Sequence, residues 1–379
     1  MPELLAIIGQ DGALAQLQRA VAARRRPHAY LFVGPDGVGR RTLAVELGRL
    51  LLCEAPASRA NRGQLAPLPD DFSLQQACGA CRSCTGVSAD THPDLHLIYK
   101  ELARYHDDPA VRQRKMQELS IEVIRQFLIG PAYRAASSGR GKLFIVLEAQ
   151  LLSPAAQNCL LKTLEEPPSG VTIILICTRA EDLLPTTRSR CQLVRFGPLP
   201  LEFVTEMLAE EDIHPEQARF LAALTGGSIG QAKRLARSEL YPLKRDLVAR
   251  LGQGAPAAGP ELAELLVAAM DTRAKALAKE DDSLTPAVAR RRASQTLLEL
   301  LGSVYRDALH LASGVGGELV HADQSQAIAA LAGRFDPTTL AEILAQLSRY
   351  EQLLWRNVNA KLLWDNVAIT CSRGWPLEV

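Results

Sequence analysis

The sequence predicts a parallel α/β domain followed by a part that is wholly helical. Two segments, KLFIVLEA (142–149) and VTIILICT (171–178), are apolar throughout, as strands are when helices cover both faces of their sheet. Residues 27–52 pass from a short apolar strand through a glycine-rich turn into a run of good helix formers. Alternation of such strands and helices indicates an α/β domain with a parallel sheet, and we expect this domain to end near Phe196.

The segments between these strands predict two further features of the first domain. Residues 54–72 are rich in Pro, Ala and Arg, which favours a surface insertion ahead of a tight cysteine group. Residues 118–133 predict an amphipathic helix, because Ile121, Ile124 and Leu128 recur at helical spacing.

After the segment GPLP (197–200) the pattern is helical to the end of the sequence. The stretch GQGAPAAGP (252–260) predicts a loop within this region. Residues 350–369 predict a helix with an apolar stripe formed by Leu353, Leu354, Val358, Leu362, Leu363 and Val367. We therefore expect three domains: an α/β domain at 1–196 with a cysteine-rich module at 53–84, a small helical domain at 197–240 and a larger helical domain at 241–379.

Composition predicts a globular chain without a membrane role. Hydrophobic residues form 47% and charged residues 22% of the 379 residues, and no apolar run is long enough to span a bilayer. The N-terminal residues lack the basic and apolar regions of a secretory signal, so we expect a cytoplasmic protein whose eight cysteines are thiols or metal ligands. A net charge of +1 gives no general attraction for nucleic acid, so any DNA contact must be local.

The glycine-rich turn GPDGVGRRT (34–42) is a degenerate phosphate-binding loop. A working loop reads G-x-x-x-x-G-K-[ST], in which backbone amides hold the phosphates, the Lys reaches outer phosphate oxygens and the hydroxyl ligates Mg²⁺. Here Arg40 and Arg41 stand at the last two positions, and Thr42 is rotated by about 100° along the helix from the hydroxyl position. The residues of this loop that we single out are Gly34, Gly37, Gly39, Arg40, Arg41 and Thr42.

A second nucleotide motif is also incomplete. In ATPases of this type an apolar strand ends in Asp-Glu, the Asp holding the Mg²⁺ shell and the Glu polarising the attacking water. In KLFIVLEAQ the Asp position is Leu147, and only Glu148 remains. Two losses at separate metal-binding points predict a chain that does not hydrolyse ATP, and the missing metal disfavours tight nucleotide binding.

Four cysteines have the spacing of a metal site. Cys78, Cys81 and Cys84 form C-x₂-C-x₂-C, and Cys53 is the nearest candidate for a fourth ligand. Four thiolates satisfy a structural Zn²⁺ at about 2.3 Å per bond, although three close cysteines and a remote one also fit iron–sulfur ligation. The other four cysteines are expected to be ordinary buried thiols: Cys159, Cys177, Cys191 and Cys371.

Together these motifs resemble the clamp-loader branch of the AAA+ ATPases, as found in bacterial DNA polymerase III. The resemblance extends over nearly the whole chain and rests on IIGQ (7–10), PHAYLFVGPDGVG (27–39), the cysteine group, THPDLHLI (91–98), NCLLKTLEEPP (158–168), LLPTTRSRCQ (183–192) and GGSIGQA (226–232). It implies an α/β AAA+ P-loop-type domain with a zinc module, then a small helical lid domain and an all-α collar domain. It also favours zinc over an iron–sulfur cluster, although the 24 residues between Cys53 and Cys78 are more than the family usually has.

Departures from the ATPase pattern separate two kinds of clamp-loader subunit. The motor subunits, gamma and tau, usually carry a nucleotide-sensing Arg where this sequence has Gly230. Together with Arg40, Arg41 and Leu147, this departure favours a non-hydrolysing member of the complex. Thr178 matches a polar sensor position of the family, and without the metal ligands we expect it to be structural. The alternative is an ATP-hydrolysing gamma/tau-type motor subunit that uses a divergent loop.

The resemblance also implies a role for the tripeptide Ser189-Arg190-Cys191. In this family the SRC motif supplies an arginine finger to the ATP site of the neighbouring subunit, and a finger in trans raises rates by roughly 10³ to 10⁵ in GTPases. We expect this role for Arg190 rather than simple pairing with a surface carboxylate. The implied partners are gamma/tau motor subunits and a delta subunit in a heteropentameric ring held by the collar, with a sliding clamp and primer-template DNA reached through the complex.

Overall fold

The computed structural model describes residue 4 and residues 7–23, 26–113, 116–253, 258–281, 284–354 and 359–373. The chain forms two compact units, Met1–Pro200 and Leu201–Val379. The first is α/β and the second is helical, as the sequence predicts. The further division of the helical part at residue 240 stays a prediction.

The first unit is built on a five-stranded parallel sheet. The apolar segments predicted as strands form three central strands, and shorter strands flank them on either side. The sheet order is β4-β5-β6-β1-β7, with β1 (Ala29–Val33), β4 (Leu95–Ile98), β5 (Lys142–Val146), β6 (Val171–Cys177) and β7 (Gln192–Arg195). The last strand of the sheet ends at Arg195 and the first compact unit at Pro200, and the predicted end of the α/β domain near Phe196 stays a prediction.

Helices cover both faces of this sheet. Alternate residues of β1, such as Leu31, pack in one core with the segment 121–132 and the helix that follows β5. On the opposite face a Cβ at Gly48 would lie 2.5 Å from Leu143, so the helix after β1 packs tightly there. The helices of this unit are α1 (Asp11–Ala22), α2 (Arg40–Leu52), α3 (Arg82–Ser88), α4 (Pro109–Arg112), α5 (Ile121–Ile124), α6 (Gly130–Ala132), α7 (Pro154–Glu165) and α8 (Pro185–Arg188).

The predicted amphipathic helix at 118–133 begins at Ile121 and contains a π-helical turn, Arg125–Ile129, between α5 and α6. Ile124 and Leu128 are fully buried and Ile121 packs beside them, so the predicted apolar face is confirmed.

The insertion after α2 is an ordered hairpin in the structure. Strands β2 (Ala57–Ala60) and β3 (Ser73–Gln76) pair in antiparallel fashion. Between them the buried amide of Asn61 donates to three backbone carbonyls, those of Leu65, Leu68 and Pro69, and its oxygen accepts from the Leu65 amide. One buried side chain thus pairs with four backbone groups of the loop, in addition to the hydrogen bonds that the loop backbone makes with itself.

The second unit consists of helices α9 (Leu201–Ala209), α10 (Pro215–Leu224), α11 (Ile229–Ala236), α12 (Leu240–Gln253), α13 (Ala258–Glu280), α14 (Pro286–Ala312), α15 (Ser325–Ala332), α16 (Pro337–Leu353) and α17 (Ala360–Arg373). The loop predicted at 252–260 is shorter than expected, because α12 extends to Gln253 and α13 starts at Ala258; residues 254–257 lie outside the described residues. Within the parts of the chain that are described, no helix is both long and apolar enough to cross a membrane.

The helix predicted at 350–369 is two helices, since α16 ends at Leu353 and α17 begins at Ala360. Leu363 and Val367 are buried as expected, whereas Leu362 is exposed and Val358 lies outside the described residues. The spacing of the leucines is therefore helical within each half but does not continue through the junction.

Candidate functional site

The glycine-rich loop has the strand, loop and helix context that the sequence predicts. It leaves β1 at Val33 and enters α2 at Arg40. Gly37 and Gly39 have φ angles of 75° and 96°, in the left-handed region that favours glycine. A Cβ at Gly34 would lie 2.5 Å from the carbonyl oxygen of Phe196, so this glycine is required by close approach to the segment after β7.

Arg40 is buried against the sheet. One Nη donates to the carbonyl of Cys177, the last residue of β6, and the other donates to Oδ1 of Asp36 at 3.3 Å. Burial lowers the pKa of the Arg40 guanidinium, and the nearby Asp36 carboxylate opposes that shift. The next residue, Arg41, is exposed, and Thr42 is half-buried. The positive charge at the position of the phosphate-binding Lys is therefore engaged within the chain.

The second incomplete motif lies directly after β5. The amide of Leu147 donates to the carbonyl of Ile98 on β4, so this residue continues the sheet pairing. Its side chain is apolar and offers no oxygen where an Mg²⁺ ligand is needed. Glu148 is exposed and has a left-handed backbone, with φ 50° and ψ 49°.

Arg190 follows α8 and is held by its own chain. Its Nε donates to Oε1 of Glu165 at 2.7 Å, one Nη donates to the same carboxylate, and the other donates to the carbonyl of Thr186 at 2.8 Å. The side chains of Arg190 and Glu165 are 31% and 48% exposed. The carboxylate pairing that the sequence analysis placed second is present in this structure.

Hydrogen bonds join α7, which carries Glu165, to the segment around α8 that leads to Arg190. Ser153 caps α7 by accepting from the Ala156 amide at 3.2 Å. From α7, the buried side-chain oxygen of Gln157 accepts from the Leu184 amide at 2.8 Å and from the Thr187 hydroxyl at 3.3 Å. These contacts hold the segment that leads to Arg190 against the helix that carries Glu165.

The two residues that flank Arg190, Ser189 and Cys191, have different surroundings. Ser189 donates from its hydroxyl to the Thr186 carbonyl at 3.2 Å, which closes the turn after α8. Cys191 is half-buried against the sheet core, and desolvation raises the pKa of its thiol to about 12, so the thiol stays protonated. Of the four cysteines predicted to be buried thiols, Cys177 and Cys371 are buried, whereas Cys159 and Cys191 are half-buried.

The four cysteines predicted as ligands converge at one point. The sulfurs of Cys53, Cys78, Cys81 and Cys84 all lie within 4.8 Å of one another. The Cys53–Cys81 and Cys78–Cys84 sulfur separations are 4.0 and 3.9 Å. Ligands at 2.3 Å around one tetrahedral ion would be about 3.8 Å apart. The donor set therefore fits a single Zn²⁺ better than a cluster of several metals, which needs a wider cage.

Backbone hydrogen bonds favour the ionised form at two of these sulfurs, since the pKa values of the Cys78 and Cys81 thiols are lowered, whereas burial raises the pKa values of the Cys53 and Cys84 thiols. The amide of Cys78 donates to the Cys53 sulfur at 3.3 Å, and the amides of Cys81 and Cys84 donate to the sulfurs of Cys78 and Cys81 at 3.4 Å each. Hydrogen bonds from the amides of Ala80 and Cys81 lower the pKa of the Cys78 thiol to about 6. Such amide contacts are the outer interactions that orient metal-binding thiolates.

Contacts outside the cysteines attach the module to the sheet domain. Glu54 accepts from the amide and the hydroxyl of Ser83, at 3.1 Å each, and its own carbonyl accepts from Arg140 at 2.5 Å. Arg140 lies two residues before β5. The cysteine cluster is thus connected to the central sheet at the end opposite the glycine-rich loop, which indicates a structural position.

Sequence reasoning missed the partners of the two arginines. Glu165 lies inside the quoted stretch NCLLKTLEEPP, and its position at the end of α7 was the available signal. Asp36 lies inside the loop itself and pairs with Arg40 four residues later. The sequence gives no sign that the carbonyl of Cys177 accepts from Arg40, because every residue has a backbone carbonyl.

Comparisons with known proteins agree with this architecture. A family model described as "DNA polymerase III, delta subunit" matches residues 9–200, and one described as "DNA polymerase III, delta subunit, C terminal" matches residues 274–371. DNA polymerase III subunit delta' of Bacillus subtilis is 25% identical over 365 residues, 96% of this chain and 97% of the relative. The Escherichia coli delta' subunit is 28% identical over 352 residues, 92% of this chain and 90% of the relative.

A subunit of the motor type is matched less completely. DNA polymerase III subunit tau of Escherichia coli is 29% identical over 315 residues, which cover 80% of this chain but only 43% of the relative. The first family model by itself spans half of the present sequence, and the delta' relatives span nearly all of it. The chain therefore belongs to the DNA polymerase III delta subunit family, and its relatives over most of its length are the delta-prime subunits of the clamp loader.

Proposed function

We propose that this chain is a non-hydrolysing delta-prime subunit of a DNA polymerase III clamp loader and has no ATPase activity of its own. The observation that carries the proposal is the buried Arg40, which is bonded to Cys177 and Asp36 and replaces a phosphate-binding Lys. Leu147 supports it independently, because an apolar side chain cannot hold Mg²⁺.

The second part of the proposal concerns Arg190, which we infer acts in trans. The guanidinium is partly exposed on a short turn after α8, and α7 fixes that turn through Gln157. In a ring, this side chain would reach the ATP of the adjacent motor subunit and neutralise charge on the transferring phosphoryl group. The pairing with Glu165 is then the state of the side chain when no neighbour is bound.

The partners follow from this role. The chain would occupy a heteropentameric ring with gamma/tau motor subunits and a delta subunit, and the ring would place a sliding clamp on primer-template DNA in the cytoplasm. We assign residues 197–240 to a lid and residues 241–379 to the collar that closes the ring. The extensive match to delta' relatives supports this assembly.

We also propose a structural Zn²⁺ held by Cys53, Cys78, Cys81 and Cys84. All four donors are cysteines, so the ion has no open position for a water or a substrate. Its contribution is to fix α3 and the end of α2 to the hairpin between them, without taking part in ATP turnover.

The test is ATP hydrolysis, stimulated by clamp and primed DNA, in a complex reconstituted from motor subunits, delta and this chain. Arg190→Ala should lower kcat by 10²-fold or more while the complex still assembles, as expected when a group that acts on the transition state is removed. Arg179→Ala is the matched control, because Arg179 is an exposed arginine of the same segment that pairs locally with Asp182.

The same assays separate the alternative, a motor subunit with a divergent loop. That reading requires ATP hydrolysis by the isolated chain, abolished by Arg40→Ala. An inert isolated chain together with unchanged turnover in the assembled Arg190→Ala complex would leave only a scaffolding role.

A further inference from the structure

The carboxylate that holds Arg190 has no evident structural task. Glu165 is the last residue of α7, where the carbonyl ends of the helix already carry partial negative charge. An acidic side chain at that position disfavours the helix unless a cation compensates it. Glu166 follows at once, so two carboxylates stand at an end that favours cations.

The pairing occupies the part of Arg190 that a phosphate would need. Nε and one Nη both donate to Glu165, which uses the same edge of the guanidinium that binds carboxylates and phosphates through two parallel hydrogen bonds. The second Nη donates to the Thr186 carbonyl. In this arrangement Arg190 cannot present that edge to a phosphate on another subunit.

We propose that Glu165 is a positioning residue that stores Arg190, and that the triphosphate of the adjacent subunit must take the guanidinium from it. The inference rests on the proposed function, since it needs Arg190 to act in trans. A partly exposed ion pair is weak enough to exchange, and a triphosphate carries more negative charge than one carboxylate. Release of Arg190 from Glu165 would therefore depend on the nucleotide that is bound to the neighbouring subunit.

Storage predicts a gain of function when the carboxylate is neutralised. In the reconstituted complex, Glu165→Gln should raise kcat/KM for ATP roughly two- to fivefold, the range that corresponds to a partly exposed ion pair. If Arg190 already contacts bound ATP, Glu165→Gln should lower KM. If Arg190 makes contact only in the transition state, the variant should raise kcat. High salt should reduce the difference, because it screens the pair.

Glu166→Gln is the matched control. Glu166 is adjacent and also exposed at the same helix end, but the partner of Arg190 among the described residues is Glu165. The complex with Glu166→Gln should have the same kcat/KM for ATP as the complex with the native chain. A second readout that does not depend on turnover is the affinity of the assembled complex for a non-hydrolysable ATP analogue, compared between the two Gln variants.

A double variant separates storage from a general structural effect. Glu165→Gln combined with Arg190→Ala should match Arg190→Ala alone, because no finger remains to be released; a persisting gain overturns the proposal. A fall in kcat/KM for Glu165→Gln also overturns it, since it means that the carboxylate orients the finger for use. If Arg190→Ala lowers turnover while the two Gln variants are equal, storage fails and the finger stands. If Arg190→Ala has no effect, the proposed function itself fails.

Discussion

In the glycine-rich loop, the Arg40 guanidinium lies between Asp36 and the carbonyl of Cys177. Lys and Arg carry the same charge, but a Lys ammonium lacks the planar fork that reaches both partners at once. Arg40 therefore makes an internal contact that ties α2 to β6. At this position of the loop the guanidinium contributes to the stability of the fold.

Restoring the loop sequence should not restore hydrolysis. We expect the double variant Arg40→Lys with Arg41→Thr to remain inactive as an isolated chain, because Leu147 still lacks a metal ligand. Arg40→Lys alone should lower the free energy of unfolding by about 1–3 kcal/mol through loss of a charged hydrogen bond to a buried carbonyl. ATPase assays and urea unfolding measure the two effects.

The exposed neighbour provides the control for this prediction. Arg41→Lys should change the free energy of unfolding by less than about 0.5 kcal/mol. ATP hydrolysis by the double variant would show that Leu147 is not the limiting loss, and equal stability of Arg40→Lys and the native chain would show that the buried contacts are unimportant.

At the scale of elements, the cysteine module joins α2, α3 and the β2–β3 hairpin at one cluster. Cys53 is the residue directly after α2, and Cys81 and Cys84 lie at the start of α3. The four cysteines come from both sides of a long insertion, and their sulfurs lie within 4.8 Å of one another, so an ion bound there would connect the two ends of the insertion. All four residues of β2 are exposed, and the buried apolar side chains of the hairpin are Leu65, Leu68 and Leu74, so we expect an ion to add to its stability.

Zinc content and thermal unfolding test this expectation. The native chain should contain one zinc per molecule, and Cys84→Ser, which removes a buried ligand, should lose it and unfold at a lower temperature. A strong chelator should have the same effect on the native chain. Cys159→Ser, on α7 and outside the cluster, should keep the zinc. Iron with visible absorbance in place of zinc would favour the iron–sulfur alternative.

The elements that sequence could predict are those with a local pattern. The strands β5 and β6 are continuous apolar runs, and the cysteines have a motif spacing, so both were predictable. The hairpin was not, because all four residues of β2 are exposed and its loop depends on the single side chain of Asn61. The contacts of Arg40 and Arg190 join residues 137 and 25 positions apart, which no local pattern reveals.

At the scale of the whole molecule, each of the two units buries an ion pair of its own. In the α/β unit Arg49 pairs with Glu46 at 2.5 Å inside α2, with side chains 9% and 1% exposed. The helical unit buries Lys244 fully, bonded to Asp323 and lying 5.0 Å above the ring of Phe220. Such a pair is costly to break, so it fixes α10, α12 and the segment before α15 in one arrangement.

His321 makes this buried cluster sensitive to acid. Its Nε2 donates to the hydroxyl of Ser303 at 3.0 Å, since that hydroxyl donates to the Leu300 carbonyl, and its Nδ1 is buried without a partner in the described structure. Burial, followed by the charge of Lys244, lowers the pKa of His321 to about 3, against 6.5 when exposed. The unfolded chain therefore binds more protons than the folded chain between pH 6.5 and 3, and stability falls as pH falls through that window.

From this residue alone we expect the native chain to lose about 1 kcal/mol of unfolding free energy between pH 6.5 and 5.5, with the slope approaching about 1.4 kcal/mol per pH unit at lower pH. Urea unfolding at pH 7.5, 6.5 and 5.5 measures the slope, and His321→Gln, which cannot titrate, should remove that component whatever it does to absolute stability. Asp307, which accepts from the amides of Val320 and His321, has a pKa raised by burial and contributes in the opposite sense. It is present in both chains, so the difference between their slopes isolates His321. Equal slopes would mean that the imidazole is hydrated or protonated in the folded chain, and that the helical unit is less tightly packed around it than the structure indicates.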